Sequence, residues 1–104
     1  NQMDFYKWSK IEPLKINKYG IPEPITKKKI YPDVLLVPLV AYDLNLNRLG
    51  YGGGFYDRYI NKISKIKKIL TIGLAYSFQQ IKKVPTNSFD KKLDCIVNEK
   101  EILI

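Results

Sequence analysis

Histidine is absent from this chain, which removes imidazole both as a general base and as a metal ligand. A single cysteine, Cys95, excludes an internal disulfide and points to a reducing compartment. Arginine is almost absent too: against sixteen lysines stand only Arg48 and Arg58. No apolar run approaches the ~20 residues of a membrane-spanning helix, and the N-terminus lacks a signal-peptide pattern. The expectation is therefore a soluble, cytoplasmic protein with no membrane partner. Any metal would be held by oxygen ligands, which suits magnesium.

What is present describes one folded domain over residues 1–104. Apolar residues make up 45% and aromatic residues 12% of the chain, more than a disordered sequence carries. The net charge of +8 would attract phosphorylated or polyanionic ligands. It is poor evidence for nucleic-acid binding, because the lysines are scattered rather than gathered in one stripe. The two arginines carry more information, since a planar guanidinium fork is kept where bidentate geometry matters.

Both arginines flank a cluster of glycines. Four of the six glycines lie in Arg48-Leu49-Gly50-Tyr51-Gly52-Gly53-Gly54-Phe55-Tyr56-Asp57-Arg58. Before the cluster, Asp33 to Tyr42 reads as the strongest strand, apolar on both alternating faces as a buried parallel strand is, with Pro38 marking a bulge or its functional end. After it, Phe55, Tyr59, Ile63 and Ile66 recur at helical spacing over residues 55–67. Residues 69–76 and 93–97 read as two further strands, 1–8 as a short one with Met3, Phe5 and Trp8 packing inward, and 12–24 as a proline-rich surface loop. This order predicts an α/β layer fold with a mostly parallel sheet.

Strand, glycine loop and helix in succession place backbone N–H groups around an anion at a helix N-terminus. The cluster is not a Walker loop, which needs Gly-Lys-Ser/Thr, and Phe55 stands where a dinucleotide loop needs its third glycine. Glycine clusters also form ordinary turns, and Asp57 also serves as a favourable helix-dipole carboxylate. The flanks favour phosphate: Arg48 can pair with it in two-pronged fashion, and Asp57 in the first helical turn can hold magnesium.

Pro38-Leu39-Val40-Ala41-Tyr42-Asp43 followed by Arg48 to Arg58 resembles the signature of the 5-formyltetrahydrofolate cyclo-ligase (methenyltetrahydrofolate synthetase) family, as do Tyr19 to Pro24, Pro85-Thr86 and Leu93 to Val97. The resemblance runs along essentially the whole chain and covers the C-terminal half of the family's pattern. It implies a three-layer α/β/α sandwich, here lacking its N-terminal half, and ATP- and magnesium-dependent conversion of 5-formyltetrahydrofolate to 5,10-methenyltetrahydrofolate. It implies that Arg48, Leu49, Gly50, Tyr51, Gly52, Gly53, Gly54, Phe55 and Tyr56 bind ATP, with Arg48 and Asp57 catalytic. It makes Asp57 and Asp94 the magnesium carboxylates, lying close together. Trp8, Phe55, Tyr56, Met3 and Glu23 would face the folate.

The family's other half brings a Lys and an Arg for the ATP phosphates and a Glu for the folate. Asn87-Ser88-Phe89-Asp90 also stands where the family commonly has a His before the Asp. The expectations are accordingly no turnover from this chain alone, and self-association or a separate N-terminal partner segment. A non-catalytic nucleotide- or folate-binding remnant is the alternative, followed by a basic nucleic-acid-binding domain.

Overall fold

The computed structural model describes residues 3–7, 14–24, 28–88 and 90–104. Seven short strands come first: β1 (Phe5–Tyr6), β2 (Leu14–Ile16), β3 (Pro22–Pro24), β4 (Lys29–Ile30), β5 (Val34–Val37), β6 (Ala41–Tyr42) and β7 (Arg48–Leu49). Helix α1 (Phe55–Ile63), β8 (Leu70–Leu74), a 3-10 turn at Ser77–Gln79, β9 (Cys95–Val97) and β10 (Ile102–Leu103) follow.

The main sheet has the order β10-β9-β8-β5. β5 pairs with β8 in parallel from Val34↔Leu70 to Val37↔Gly73, and β9 pairs with β8 in parallel through Ile72↔Cys95. β10 closes one edge antiparallel to β9. The fold is thus α/β with a mostly parallel sheet, as expected. Among the described residues the α/β/α sandwich is present as this sheet and one helical layer.

β5, α1 and β8 form a crossover whose helix packs on one sheet face. Leu35, Val37 and Ile96 from the strands meet Tyr59, Ile60 and Ile63 from α1, with Leu39, Tyr42 and Leu93 filling the gaps. Complete burial of an aliphatic side chain such as Ile63 contributes about 1.5–3 kcal/mol each.

Four local readings of the sequence change. Residues 33–42 are not one strand: β5 ends at Val37, because Pro38 has no N–H for the ladder, and the chain re-forms as the β6–β7 hairpin. β5 is also not buried on both faces, since Leu35 and Val37 point into the core while Val34 and Leu36 are exposed. In α1 the inward residues are Tyr59, Ile60 and Ile63; the helix stops at Ile63, leaving Phe55 and Ile66 largely in solvent. The 12–24 segment contains a hairpin, β2 with β3, around a turn at Asn17–Gly20. Both of its strands are edges, so the donors missing from Pro22 and Pro24 cost little. Asn17 Oδ1 fastens the turn by accepting the Tyr19 and Ile21 N–H groups at 2.8 and 3.1 Å.

Candidate nucleotide site at the start of the helix

The β6–β7 hairpin delivers the glycine loop. Ala41 pairs with Leu49 and Tyr42 with Arg48, while residues 43–47 close a tight turn in which the Asp43 N–H reaches the Asn47 carbonyl at 3.1 Å. Leu46 has φ 67°, an uncommon conformation for a branched side chain, and its carbonyl accepts the Leu93 N–H at 3.0 Å.

Beyond Leu49 the backbone needs glycine. Gly52 has φ 100° and Gly54 φ 68°, where a side chain would be strained. Gly54 is the residue that caps α1, and it supplies no side-chain hydrogen bond. The first-turn N–H groups of α1 have no intrahelical acceptor by construction, so they point out of the helix end beside the loop. Asp57 lies in this turn.

Both arginines donate to backbone carbonyls, Arg48 to the chain just after β5 and Arg58 to the glycine loop. Arg48 Nη1 donates to the Pro38 carbonyl at 3.2 Å, and its guanidinium lies 5.6 Å from the centre of the Tyr56 ring. Among the described residues its Nε is buried without a partner. Arg58 Nη1 donates to the Gly53 carbonyl at 2.9 Å, and its guanidinium sits 5.0 Å from the Phe55 ring centre. The positive charges therefore brace the loop from within as well as raising its potential.

Two clefts open here. One, of about 370 Å³, is walled by residues 48–57 on one side and by Pro85, Asn87 and Asp90 on the other. The second, about 690 Å³, continues along α1 past Asn61 and Lys62, and shares Gly54, Asp57, Asn87 and Asp90 with the first. Volumes of this size hold small organic ligands. A third hollow, about 940 Å³, lies at the carboxyl ends of β5, β8 and β9, between Tyr51 and Tyr56 and a stacked Tyr76–Phe78 pair whose ring centres are 5.4 Å apart.

Arg48 to Asp57 are thus brought together around one cleft, Phe55 and Tyr56 among them. Asp94 is elsewhere: it precedes β9, and its Oδ2 accepts the Thr71 N–H at 2.7 Å and the Thr71 hydroxyl at 3.1 Å. The carboxylate that shares both clefts with Asp57 is Asp90, whose Oδ2 accepts the Asn87 N–H at 2.9 Å. Glu23 sits on β3, paired with Lys15 at 3.6 Å, and Met3 packs against the core; neither lines these clefts. Trp8 lies outside the described residues. Among the described residues no three His, Cys, Asp or Glu side chains converge on one point, so magnesium here would need oxygens from the bound phosphates as well as from protein.

Asn87 and Asp90 line both clefts, and periodicity does not point to them, because the segment from 77 to 92 has none. The nearby Pro85 and the position of Asp90 before Leu93 were the available signals. Behind the clefts lies Asp43: it is 1% exposed, and its carboxylate collects N–H groups from three residues. Burial pushes the Asp43 carboxyl up, but hydrogen bonds from the Val84 N–H and from Asn47 and Asn45 outweigh burial and hold it below the usual aspartate value.

A sequence model of the 5-formyltetrahydrofolate cyclo-ligase family matches residues 1–99. The chain belongs to that family. Among cyclo-ligase relatives, the 5-formyltetrahydrofolate cyclo-ligase of Haemophilus influenzae is 40% identical over 94 residues, a match covering 86% of this chain and 50% of the relative. The Escherichia coli K12 cyclo-ligase is 35% identical over 94 residues, covering 86% and 51%. The NMR structure of Aquifex aeolicus 5,10-methenyltetrahydrofolate synthetase superimposes with a TM-score of 0.74 at 36% identity, covering 97% of this chain and 52% of that one. The Mycoplasma pneumoniae 5,10-methenyltetrahydrofolate synthetase gives 0.64 at 32% identity, covering 84% and 54%. The chain spans about half the length of the curated relatives it matches.

Proposed function

We propose that this chain carries the ATP-binding part of a 5-formyltetrahydrofolate cyclo-ligase, acting on a reduced folate in the cytoplasm. The observation that supports the reading most is the pair of adjoining clefts at the N-terminus of α1: the glycine loop and Arg48 line one, Arg58 the other, and Asp57 and Asp90 line both. In the reaction, the formyl oxygen attacks the γ-phosphorus of ATP, the bond to the ADP oxygen breaks, and the folate's N10 then closes the ring as phosphate leaves. Such a transfer requires in-line placement and charge neutralisation rather than a protein nucleophile. That requirement agrees with a chain without histidine.

In this reading the first-turn N–H groups of α1 and the Arg48 and Arg58 guanidiniums hold phosphate oxygens. Asp57 and Asp90 are the carboxylates placed to hold magnesium, which would neutralise phosphate charge; Asp94 serves more remotely, through Thr71. Tyr51, Phe55 and Tyr56 offer ring faces to the pterin. The free, partly buried Cys95 is consistent with a reducing compartment, and among the described residues no helix is long and apolar enough to cross a membrane.

Titration calorimetry with ATP and magnesium tests the reading. Binding that weakens at least tenfold in Asp57→Ala and in Asp90→Ala is expected; absence of heat with the unaltered chain would remove it. A nucleotide- or folate-binding module without turnover is the second reading. It predicts ATP binding without formation of methenyltetrahydrofolate, which is also the outcome we expect for this chain alone. The exposed apolar side chains Val34, Leu36, Leu70 and Leu74 on the outer sheet face support a covering layer, from a second copy or from a partner segment. A clean monomer at high concentration in light scattering would argue against self-association.

A further inference from the structure

The buried carboxylate of Asp43 is not needed for any step above, and it lines none of the clefts. It nevertheless stands between the two walls of the nucleotide cleft. Its Oδ1 accepts the Asn45 N–H at 3.0 Å and the Asn47 N–H at 3.1 Å, which closes the turn of the hairpin leading to Arg48 and the glycines. Its Oδ2 accepts Asn47 Nδ2 at 3.2 Å and, from the opposite side, the Val84 N–H at 2.9 Å. All four donors are neutral amides, and among the described residues no lysine or arginine pairs with it.

Val84 is the last residue before the second wall. The segment leading to it is pinned once more by the Ile81 N–H on the Tyr42 carbonyl at 2.7 Å. Pro85 then fixes one backbone torsion, and Asn87 and Asp90 close on each other, with the Asp90 N–H on the Asn87 carbonyl at 3.2 Å and the Asn87 N–H on Asp90 Oδ2 at 2.9 Å. The connection from Asp43 to Asp90 is therefore short and tied at both ends. A buried charge with every lone-pair direction engaged tolerates little displacement, because any lost bond leaves charge uncompensated in the core.

We propose that Asp43 is a positioning residue of this site: its carboxylate fastens the wall that bears Asn87 and Asp90 to the hairpin that bears the glycine loop, and so sets the spacing at which a nucleoside triphosphate and its magnesium are gripped. The proposal rests on the nucleotide reading of the cleft. Asp43 acts through Val84 and does not touch the ligand. Asparagine cannot replace it, since an amide presents N–H groups where Asp43 has only acceptors facing four donors.

The test uses the whole 104-residue chain in two measurements. In amide hydrogen exchange, Asp43→Asn is expected to speed exchange at Val84 and Asp90 at least tenfold more than at Ile72 in β8. Equal acceleration at all three would mean general destabilisation and would overturn the proposal. In titrations with ATP and magnesium, Asp43→Asn is expected to weaken binding at least tenfold, but less than twofold when Asp90→Ala is already present. An undiminished affinity, or the same loss in both backgrounds, would overturn it. If Asp43→Asn does not fold, Asn47→Ala removes one bond to Oδ2 while keeping the charge, and the same selective exchange at Val84 is required of it. Failure of the unaltered chain to bind ATP would sink the nucleotide reading; the exchange comparison would still decide whether Asp43 ties the walls.

Discussion

Arg48→Ala separates a structural job from the phosphate contact proposed for the same side chain. The first is structural, and its size can be worked from the geometry. A charged donor to a carbonyl contributes about 1.5–3 kcal/mol, and 3.2 Å to the Pro38 oxygen puts this bond at the weak end. The Tyr56 ring at 5.6 Å adds about 0.5–1 kcal/mol. Against these stands the buried, unpartnered Nε, whose removal returns roughly 1 kcal/mol of desolvation. The net loss of stability should be roughly 1 kcal/mol, which in a domain of this size lowers the melting temperature by about 4–8 °C. The second is the proposed phosphate contact, and its loss should weaken binding of ATP with magnesium by a further 1.5–3 kcal/mol or so. Arg48→Lys distinguishes the two: it should melt like the alanine variant, because an ammonium cannot both bond Pro38 and stack on Tyr56, yet keep part of the affinity through its charge. Urea unfolding and calorimetry on the three proteins provide the readings. An alanine variant with wild-type melting and wild-type affinity would refute both halves of the reasoning.

Three other outcomes are expected. Gly73→Ala should cost about 1–3 kcal/mol in urea unfolding, because an added Cβ would lie 2.6 Å from Leu93 Cδ1 and 3.2 Å from Ile96 Cγ1 in the packed core. Gly54→Ala should cost about 1 kcal/mol through its φ of 68°, with helix content by circular dichroism falling at the start of α1. Acid should destabilise the fold: the Lys62 ammonium holds Asp4 below the ordinary aspartate value, amide hydrogen bonds overcome burial to do so for Asp43, and the Ser77 N–H does so for Glu99. With these folded values depressed, the unfolded chain binds protons first, so their contribution is complete above about pH 5 and fades as pH falls below about 4. Chemical unfolding midpoints that stay level from pH 6 to pH 3 would contradict that sign.

The glycine loop, α1 and the strands at 70–74 and 95–97 were legible because their signals are local: a glycine cluster, a helical period, short β-branched runs. The break at Pro38 was visible as a missing donor, but the hairpin after it was not, since β6 owes its existence to β7 and to the bridge from Tyr42 to Gln80. Ile66 fitted the helical period and still lies outside the helix, because the period says nothing about where a helix stops. At the site, the loop residues could be read in order, whereas the choice between Asp90 and Asp94 could not. Four residues apart, one before and one within the expected strand 93–97, they are separated by what the fold brings to each: Asn87 and the cleft for Asp90, Thr71 for Asp94. Asp43 holds the turn through its bonds from Asn45 and Asn47, which are local; that it also receives Val84 is a tertiary fact.

The pairing of β5 with β8 has a consequence for how the molecule comes into being. Val34 finds Leu70 only after the hairpin, the glycine loop and α1 have all been drawn into a closed loop of chain. Such non-local closure is slow relative to hairpin or helix formation, and its entropy must be met before the sheet rewards it. The wall of the candidate cleft formed by residues 48–57 lies inside that closed loop and is assembled in the same event that joins the sheet, whereas the wall of Pro85, Asn87 and Asp90 comes from chain beyond it. Substitutions in the glycine loop that leave its length unchanged should therefore act mainly on how fast the folded chain opens, whereas lengthening the loop should slow the first pairing of the strands.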